Sequence, residues 1–129
     1  MAALRKPDEV LYPELSYQII GIAFRIYNAL GYGYQEKYYQ RAFTKEFTAN
    51  GIHFRREDSV PLRYRDEPIG HYRLDFVVEE KIAVEIKVGT KFYPRDLRQL
   101  FAYLRAKKLR LGILLLFSPA GIRYRRLVL

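Results

Sequence analysis

Two acidic residues, Asp75 and Glu85, lie on either side of a short acidic turn, and Lys87 follows two positions after the second. Apolar residues surround all three in the manner of a β-hairpin. If the turn centres on Glu80, Asp75 lies opposite Glu85 and Arg73 lies opposite Lys87. Directly opposed side chains are roughly 5 Å apart at Cβ, and like charges placed in this way destabilise a sheet. The pattern therefore predicts a cation between the two carboxylates.

The chemistry that suits these residues is the binding of a divalent metal ion. Carboxylate oxygens are the ligands that Mg²⁺ and Mn²⁺ prefer, and the carbonyl of Ile86 could supply a third oxygen. Lys87 projects from the same strand face as Glu85, where its ammonium could hold an attacking water or stabilise charge on a phosphate. The competing interpretation is structural, with Asp75 paired to Arg73 or Lys87 at an exposed sheet face. The spacing alone favours this second interpretation.

Composition restricts the class of protein. The chain has 129 residues, half of them hydrophobic, which predicts one globular domain over residues 1–129. The absence of cysteine excludes disulfides, thiolate zinc sites and a cysteine nucleophile, and it is typical of a reducing, cytoplasmic location. The longest aliphatic run, residues 113–117, is too short to span a bilayer. We therefore expect a cytoplasmic protein that does not span a membrane.

An excess of positive charge is the other informative property. The chain has 23 Lys and Arg against 14 Asp and Glu, a formal net charge of +9. Such an excess favours binding to polyanions, nucleic acid above all, although a basic surface can also serve solubility alone. Seven arginines are candidates for contacts with phosphates: Arg55, Arg56, Arg73, Arg95, Arg98, Arg123 and Arg125.

The hydrophobic period divides the chain into elements in the order α-α-β-β-β-β-α-β-β. The first ten residues read as a loose arm. Helices are predicted from Pro13 to a break at Gly31 and over residues 34–49 and 94–108; strands are predicted at 52–57, 60–65, in the 72–88 hairpin, at 111–117 and at 122–129. The strand–helix–strand crossover after Lys87 favours a parallel pairing, and hence a mixed sheet flanked by helices.

Several ordered motifs resemble a known family. Asp75 followed by Glu85-Ile86-Lys87 and a helix resembles the D…(D/E)xK signature of the PD-(D/E)XK nuclease superfamily. Residues 33–39, Gly-Tyr-Gln-Glu-Lys-Tyr-Tyr, are similar to the motif that names the GxxExxY protein family within it. The likeness covers nearly the whole chain from about Glu14, and it includes residues 30–33, 98–104 and 111–117.

The resemblance implies an α/β restriction-endonuclease-like core and a nuclease that uses Mg²⁺ or Mn²⁺ to hydrolyse phosphodiester bonds in nucleic acid. We expect DNA as the substrate, although the sequence does not distinguish DNA from RNA. Asp75 and Glu85 would be the metal ligands and Lys87 the catalytic lysine. Glu36 would add an acidic group from an early helix, and Gln99 a polar group from the helix after the motif. A domain of this size often needs a second subunit to span a duplex, which is compatible with a homodimer.

Some positions and functions stay open. Taken without the motif, Glu36 is an ordinary first-turn acid stabilised by the helix dipole. The chain departs from the family pattern at Leu74, where proline is expected, at Ala102 and Leu116, where asparagine is expected, and at Ser118, where glycine is expected. The alternative functions are a nucleic-acid-binding module with this fold and little catalysis, and a protein-interaction domain whose basic surface serves solubility.

Overall fold

A five-stranded sheet in the order β1-β2-β3-β4-β5 forms the centre of the computed structural model, which describes residues 11–129. Its neighbours pair antiparallel except β3 and β4, which are parallel. The elements along the chain are α1 (Pro13–Leu30), α2 (Glu36–Ala49), β1 (Phe54–Tyr64), β2 (Glu67–Val78), β3 (Ile82–Val88), α3 (Pro94–Lys107), β4 (Leu111–Ser118) and β5 (Gly121–Val128). The arm predicted at residues 1–10 lies outside the described residues.

The predicted α/β class and the mixed sheet are confirmed, and α3 makes the crossover between the parallel strands β3 and β4. One difference concerns the two short strands expected at 52–57 and 60–65. They form the single strand β1, so the sheet has five strands where the sequence suggested six. Asp58 and Ser59, the two residues between the predicted strands, stay in register with Leu74 and Arg73 of β2.

The β2–β3 hairpin has the expected register. Phe76 pairs with Val84 and Val78 with Ile82, which centres the turn on Glu80. Glu80 adopts a positive φ of 54°, as tight turns between strands often require. The backbone pairing ends at Phe76. The next amide of β3, that of Ile86, donates to Oδ2 of the Asp75 side chain at 2.7 Å. The hairpin therefore ends in a carboxylate at the point where the strands separate.

Helices cover both faces of the sheet. α1 and α2 pack on one face through Ile19, Ile22, Phe43 and Phe47, and α3 packs on the other through Leu100, Tyr103 and Leu104. β4 lies between the two layers and is buried along its whole length. No helix in residues 11–129 is both long and apolar enough to cross a membrane.

The junction between α1 and α2 is held by Tyr39. Gly31 and Gly33 have φ values of 73° and 116°, a region that L side chains rarely adopt, and they let the chain reverse between the helices. The buried Tyr39 hydroxyl donates to the Gly31 carbonyl at 2.5 Å, and its ring stacks on Phe117 with centroids 4.1 Å apart. These contacts fix where α2 begins, and hence the position of Glu36.

Gly112 brings α3 close to the sheet. A Cβ at this position in β4 would lie 3.0 Å from both Cγ and Cδ2 of Leu100. The leucine is buried in the core between α3 and the sheet, so little space exists for it to move. The absence of a side chain at Gly112 therefore sets the spacing between α3 and β4.

We expect Gly112→Ala to lower the free energy of unfolding by about 1–3 kcal/mol, the usual cost of overpacking a core. Urea unfolding followed by circular dichroism measures it. Gly70→Ala in β2 is the matched control, because its Cβ would meet nothing within 4 Å. Equal effects of the two substitutions would contradict the close approach of α3.

Candidate active site

The acidic and basic residues singled out by the motif converge at the end of the β2–β3 hairpin. Asp75 comes from β2, while Glu85 and Lys87 come from β3. The carboxyl groups of Asp75 and Glu85 lie close enough to affect each other's ionisation, and Lys87 Nζ lies 4.0 Å from Glu85 Oε1. Glu36, in the first turn of α2, lies near enough for its ionisation to respond to Lys87 and Asp75. Four predicted residues thus form one cluster.

Asp75 is held by neutral donors from two elements. Gln40, one turn after Glu36 on α2, donates from Nε2 to Asp75 Oδ1 at 2.8 Å, and the Ile86 amide donates to Oδ2. Arg73 is exposed to solvent, whereas Asp75 is mostly buried. This arrangement differs from the structural alternative, in which Asp75 pairs with a cation at an exposed face. Gln40 is a contact that the sequence pattern did not reveal.

Burial makes ionisation of the cluster unfavourable. It raises the pKa of Asp75, although hydrogen bonds from Glu85 and Ile86 act in the opposite direction. The pKa of Glu85 is raised strongly, first by burial and then by the negative charge of Asp75. Burial also raises the pKa of Glu36, against the attraction of Lys87. Proximity and burial together make the cluster hold protons more tightly than free carboxyl groups do, and a bound cation would release them.

Asp96 is a site residue that sequence reasoning missed. It lies in the first turn of α3, is only 8% exposed, and places Oδ1 3.9 Å from Lys87 Nζ. Lys87 thus lies between two carboxylates, Glu85 and Asp96. An acid in the first turn of a helix is so common that its type and position carry little signal. The crossover through α3 is what brings it back to Lys87.

A cleft of about 360 Å³ opens beside Lys87. Its walls come from α2, the end of β3, α3 and β4: Glu36, Lys87, Val88, Lys91, Tyr93, Arg95, Asp96, Gln99 and Leu116. Gln99 therefore borders the cleft, the position that its proposed role requires. Leu116, where the family pattern has asparagine, makes part of one wall apolar. Lys91 adds a cation that the motif did not identify.

The seven candidate arginines differ in their surroundings. Arg95 lines the cleft, and Arg56 Nη2 lies 3.4 Å from the Gln40 amide oxygen that adjoins Asp75. Arg123 and Arg125 on β5 lie 5.8 and 5.5 Å from the ring of Phe92, in the loop that leads to α3. Of these four, Arg95 therefore adds positive charge to the cleft itself.

The other three are exposed or already paired with carboxylates. Arg55 donates to both carboxylate oxygens of Glu80, at 2.6 and 3.1 Å, and lies 3.2 Å from Asp58. Because two carboxylates already contact its guanidinium, Arg55 is the weakest candidate for a phosphate contact. Arg73 and Arg98 are exposed, on β2 and α3.

The donor set fits a hard divalent ion that takes part of its coordination from water and substrate. Within residues 11–129, no three His, Cys, Asp or Glu side chains converge so that they could hold a metal ion by themselves. Asp75 and Glu85 provide two adjacent carboxylates, and protein sites for Mg²⁺ commonly use one or two, completed by water and phosphate oxygens. Their mutual repulsion is what a divalent cation would relieve.

Comparison with known proteins decides the family. A family model described as the PD-(D/E)XK nuclease superfamily matches residues 13–127. The chain belongs to this superfamily. The superfamily is one of nuclease-like domains. The narrower resemblance to the GxxExxY family stays a prediction.

A solved structure supports the same fold. The crystal structure of SSO0001 superposes with a TM-score of 0.56 over 90% of this chain, at 18% sequence identity. The superposition covers 58% of that protein, so this PD-(D/E)XK chain spans well under two thirds of its length. At this identity the likeness concerns the fold alone. No curated protein matches the chain.

The raised pKa values predict a stability cost at neutral pH. A carboxyl group whose pKa is higher in the folded state makes its full contribution to stability below its ordinary pKa of about 4.5, and that contribution falls as the pH rises towards the folded value. We therefore expect Glu85→Gln to increase the free energy of unfolding at pH 7 to 8 by at least about 1 kcal/mol, since each pKa unit corresponds to about 1.4 kcal/mol. The gain should shrink near pH 4.

Thermal and urea unfolding in chelator, from pH 4 to pH 8, measure this effect. Glu67→Gln is the control, because Glu67 is exposed at the start of β2 and far along the strand from the cluster. A Glu85→Gln variant less stable than the parent at pH 8 would show that the raised pKa of Glu85 does not cost the fold stability.

Proposed function

We propose that this chain is a divalent-metal-dependent nuclease that hydrolyses phosphodiester bonds in DNA. The observation that supports this most strongly is the meeting of Asp75 and Glu85 with Lys87, which lines a cleft that Lys91 and Arg95 also line. Two partly buried carboxylates that affect each other's ionisation form an unfavourable pair on their own, and a site for Mg²⁺ or Mn²⁺ would give that pair a function. The superfamily to which the chain belongs makes this chemistry the expected one.

Each residue has a distinct role in the proposed reaction. Asp75 and Glu85 would hold Mg²⁺ or Mn²⁺, which when bound lowers the pKa of water and stabilises charge on a phosphate. Lys87 would orient the attacking water and offset the negative charge that develops on the phosphate. Glu36, which lines the same cleft as Lys87, would accept a hydrogen bond from water. Gln99 would donate to the substrate from α3.

The cations around the cleft would bind the nucleic-acid backbone. Lys91 and Arg95 lie on its walls, and Arg123 and Arg125 lie beside it on β5. Because such contacts release counterions, affinity should fall steeply as salt concentration rises. A homodimer, through which two clefts could reach both strands of a duplex, remains a prediction.

We expect Asp75→Asn and Lys87→Met each to lower cleavage of DNA by at least about 100-fold, since each removes charge that acts on the reacting phosphate. The assay uses single-stranded and duplex DNA and RNA, with Mg²⁺ and with Mn²⁺. Binding of Mn²⁺, followed by electron paramagnetic resonance, should weaken in Asp75→Asn and persist in Lys87→Met. Asp66→Asn, in the exposed β1–β2 turn, is the control.

Two outcomes would contradict the proposal. Cleavage that is equal in the parent chain and in Asp75→Asn would show that the activity comes from elsewhere. Binding of nucleic acid without cleavage of any substrate, with either metal, would favour the alternative of a binding module that has the nuclease fold.

Asp96 is proposed as a positioning residue for Lys87. Because its carboxylate lies 3.9 Å from Lys87 Nζ, Asp96→Asn should free the ammonium and lower kcat by about ten- to 100-fold with little change in KM. Asp96→Glu should restore part of the rate. In a Lys87→Met background, Asp96→Asn should have almost no further effect, and additive losses would contradict the coupling.

A further inference from the structure

A second recessed surface lies on the opposite side of α2 from Glu36 and Gln40. It is a groove of about 490 Å³ between the end of α1 and the outer face of α2. Its lining residues, which define the α2 groove, are Leu30, Tyr34, Tyr38, Arg41, Ala42 and Lys45. None of them belongs to the cleft beside Lys87, so the groove is a separate site.

The α2 groove exposes aromatic rings. Tyr34 and Tyr38 are 47% and 43% exposed, and their ring centroids lie 6.4 Å apart at an interplanar angle of 77°. Tyr39, the next residue along the helix, is by contrast completely buried against Phe117. Rings grouped at the surface, away from the core, indicate a binding site for a flat apolar group.

Cations accompany these rings. Lys37 Nζ and the Arg41 guanidinium lie 5.2 and 5.6 Å from the centroid of the Tyr38 ring, and Lys45 lines the groove one turn further on. The lining residues include no carboxylate, and the neighbouring Glu46 pairs with Arg25 at 3.3 Å. The groove therefore combines apolar faces with positive charge.

Aromatic rings together with positive charge favour some binding partners over others. A second copy of this chain carries a net charge of +9 and would be repelled by a cationic groove. Nucleic acid offers both complementary features, because bases stack on aromatic rings while phosphates meet Lys and Arg. Only an unpaired base has both faces free to stack, so single strands fit the groove better than a duplex does.

We propose that the α2 groove binds one or more bases of a single-stranded segment of nucleic acid next to the phosphate that is cleaved. The inference rests on the proposed function in taking nucleic acid as the substrate, and it adds a preference for unpaired bases. The groove and Glu36 lie on opposite sides of one helix, about 10 Å across. A strand that leaves the cleft would reach Tyr34 and Tyr38 by passing the start of α2.

The test is fluorescence anisotropy of the full chain with labelled single-stranded DNA, single-stranded RNA and duplex DNA, in EDTA so that binding is separated from cleavage. Tyr38→Ala should weaken single-strand binding by about five-fold or more, and duplex binding less, because each stacked base contributes that much. Tyr38→Phe keeps the ring and should bind like the parent chain. The control is Tyr17→Ala, since Tyr17 is 81% exposed on α1 and lies outside the groove.

A second variant keeps the inference testable if Tyr38→Ala does not fold correctly. Lys45→Ala should reduce the slope of log affinity against log salt for single strands, as expected when one phosphate contact is lost. If neither Tyr38→Ala nor Lys45→Ala changes single-strand binding while Asp75→Asn still abolishes cleavage, the groove inference is wrong and the proposed function stands. If the parent chain binds no nucleic acid at low salt, both fail. Light scattering tests whether the groove instead binds a second copy of the chain. Loss of a dimer in Tyr38→Ala, with unchanged affinity for single strands, would identify the groove as a contact between copies and would contradict the inference.

Discussion

The placement of two carboxylates side by side in a largely buried position is the constraint on which this structure depends. Both carboxyl groups have raised pKa values because burial disfavours their ionisation, and the negative charge of Asp75 raises the pKa of Glu85 further. Such a pair costs stability at neutral pH unless a cation joins it. The rest of the fold supplies the compensating contacts, with an amide at each oxygen of Asp75 and the ammonium of Lys87 beside Glu85.

Those contacts come from both helical layers, so the site forms only when the layers are correctly placed. Tyr39 fixes the start of α2, from which Glu36 and Gln40 reach the pair. On the other face of the sheet, the absence of a side chain at Gly112 lets α3 pack closely. Asp96, at the start of α3, then lies near Lys87. The parallel strands β3 and β4 lie between the layers. A small error in either helix would therefore separate groups that must lie within about 4 Å, the range over which charges interact strongly in a protein.

The acidic residues of the site lie within a protein of net positive charge, and the two signs of charge would act on a polyanion at different distances. The positive charge around the cleft attracts a polyanion, while the carboxylates would repel it at close range. A divalent cation between the carboxylates would reverse that repulsion at the point where a phosphate must approach. In the proposed reaction, long-range attraction would come from Arg95 and Lys91 on the walls of the cleft, and the local chemistry from Asp75 and Glu85.

Local patterns were enough to predict much of this. Alternating apolar residues and the turn at Glu80 predicted the hairpin and its register, because strand pairing across a tight turn depends on neighbours in the chain. The crossover after Lys87 predicted the parallel pair, since two parallel strands need a long connection. The strand break expected near Asp58 did not occur. That carboxylate bonds to Tyr103 of α3 and lies 3.4 Å from Lys107, so contacts distant in sequence accommodate a polar residue inside β1.

Only the tertiary structure decided which residues far apart in the sequence contact each other. Gln40 and Asp75 are 35 positions apart, and no local pattern connects them. Asp96 resembles any acid at a helix start until α3 packs against the sheet and brings it to Lys87. Residue types and short-range spacing determined which groups could do chemistry, because hairpins and helix periods are local. Which groups support them was decided by packing, because a hydrogen bond depends on distance in space and the chain's order does not specify that distance.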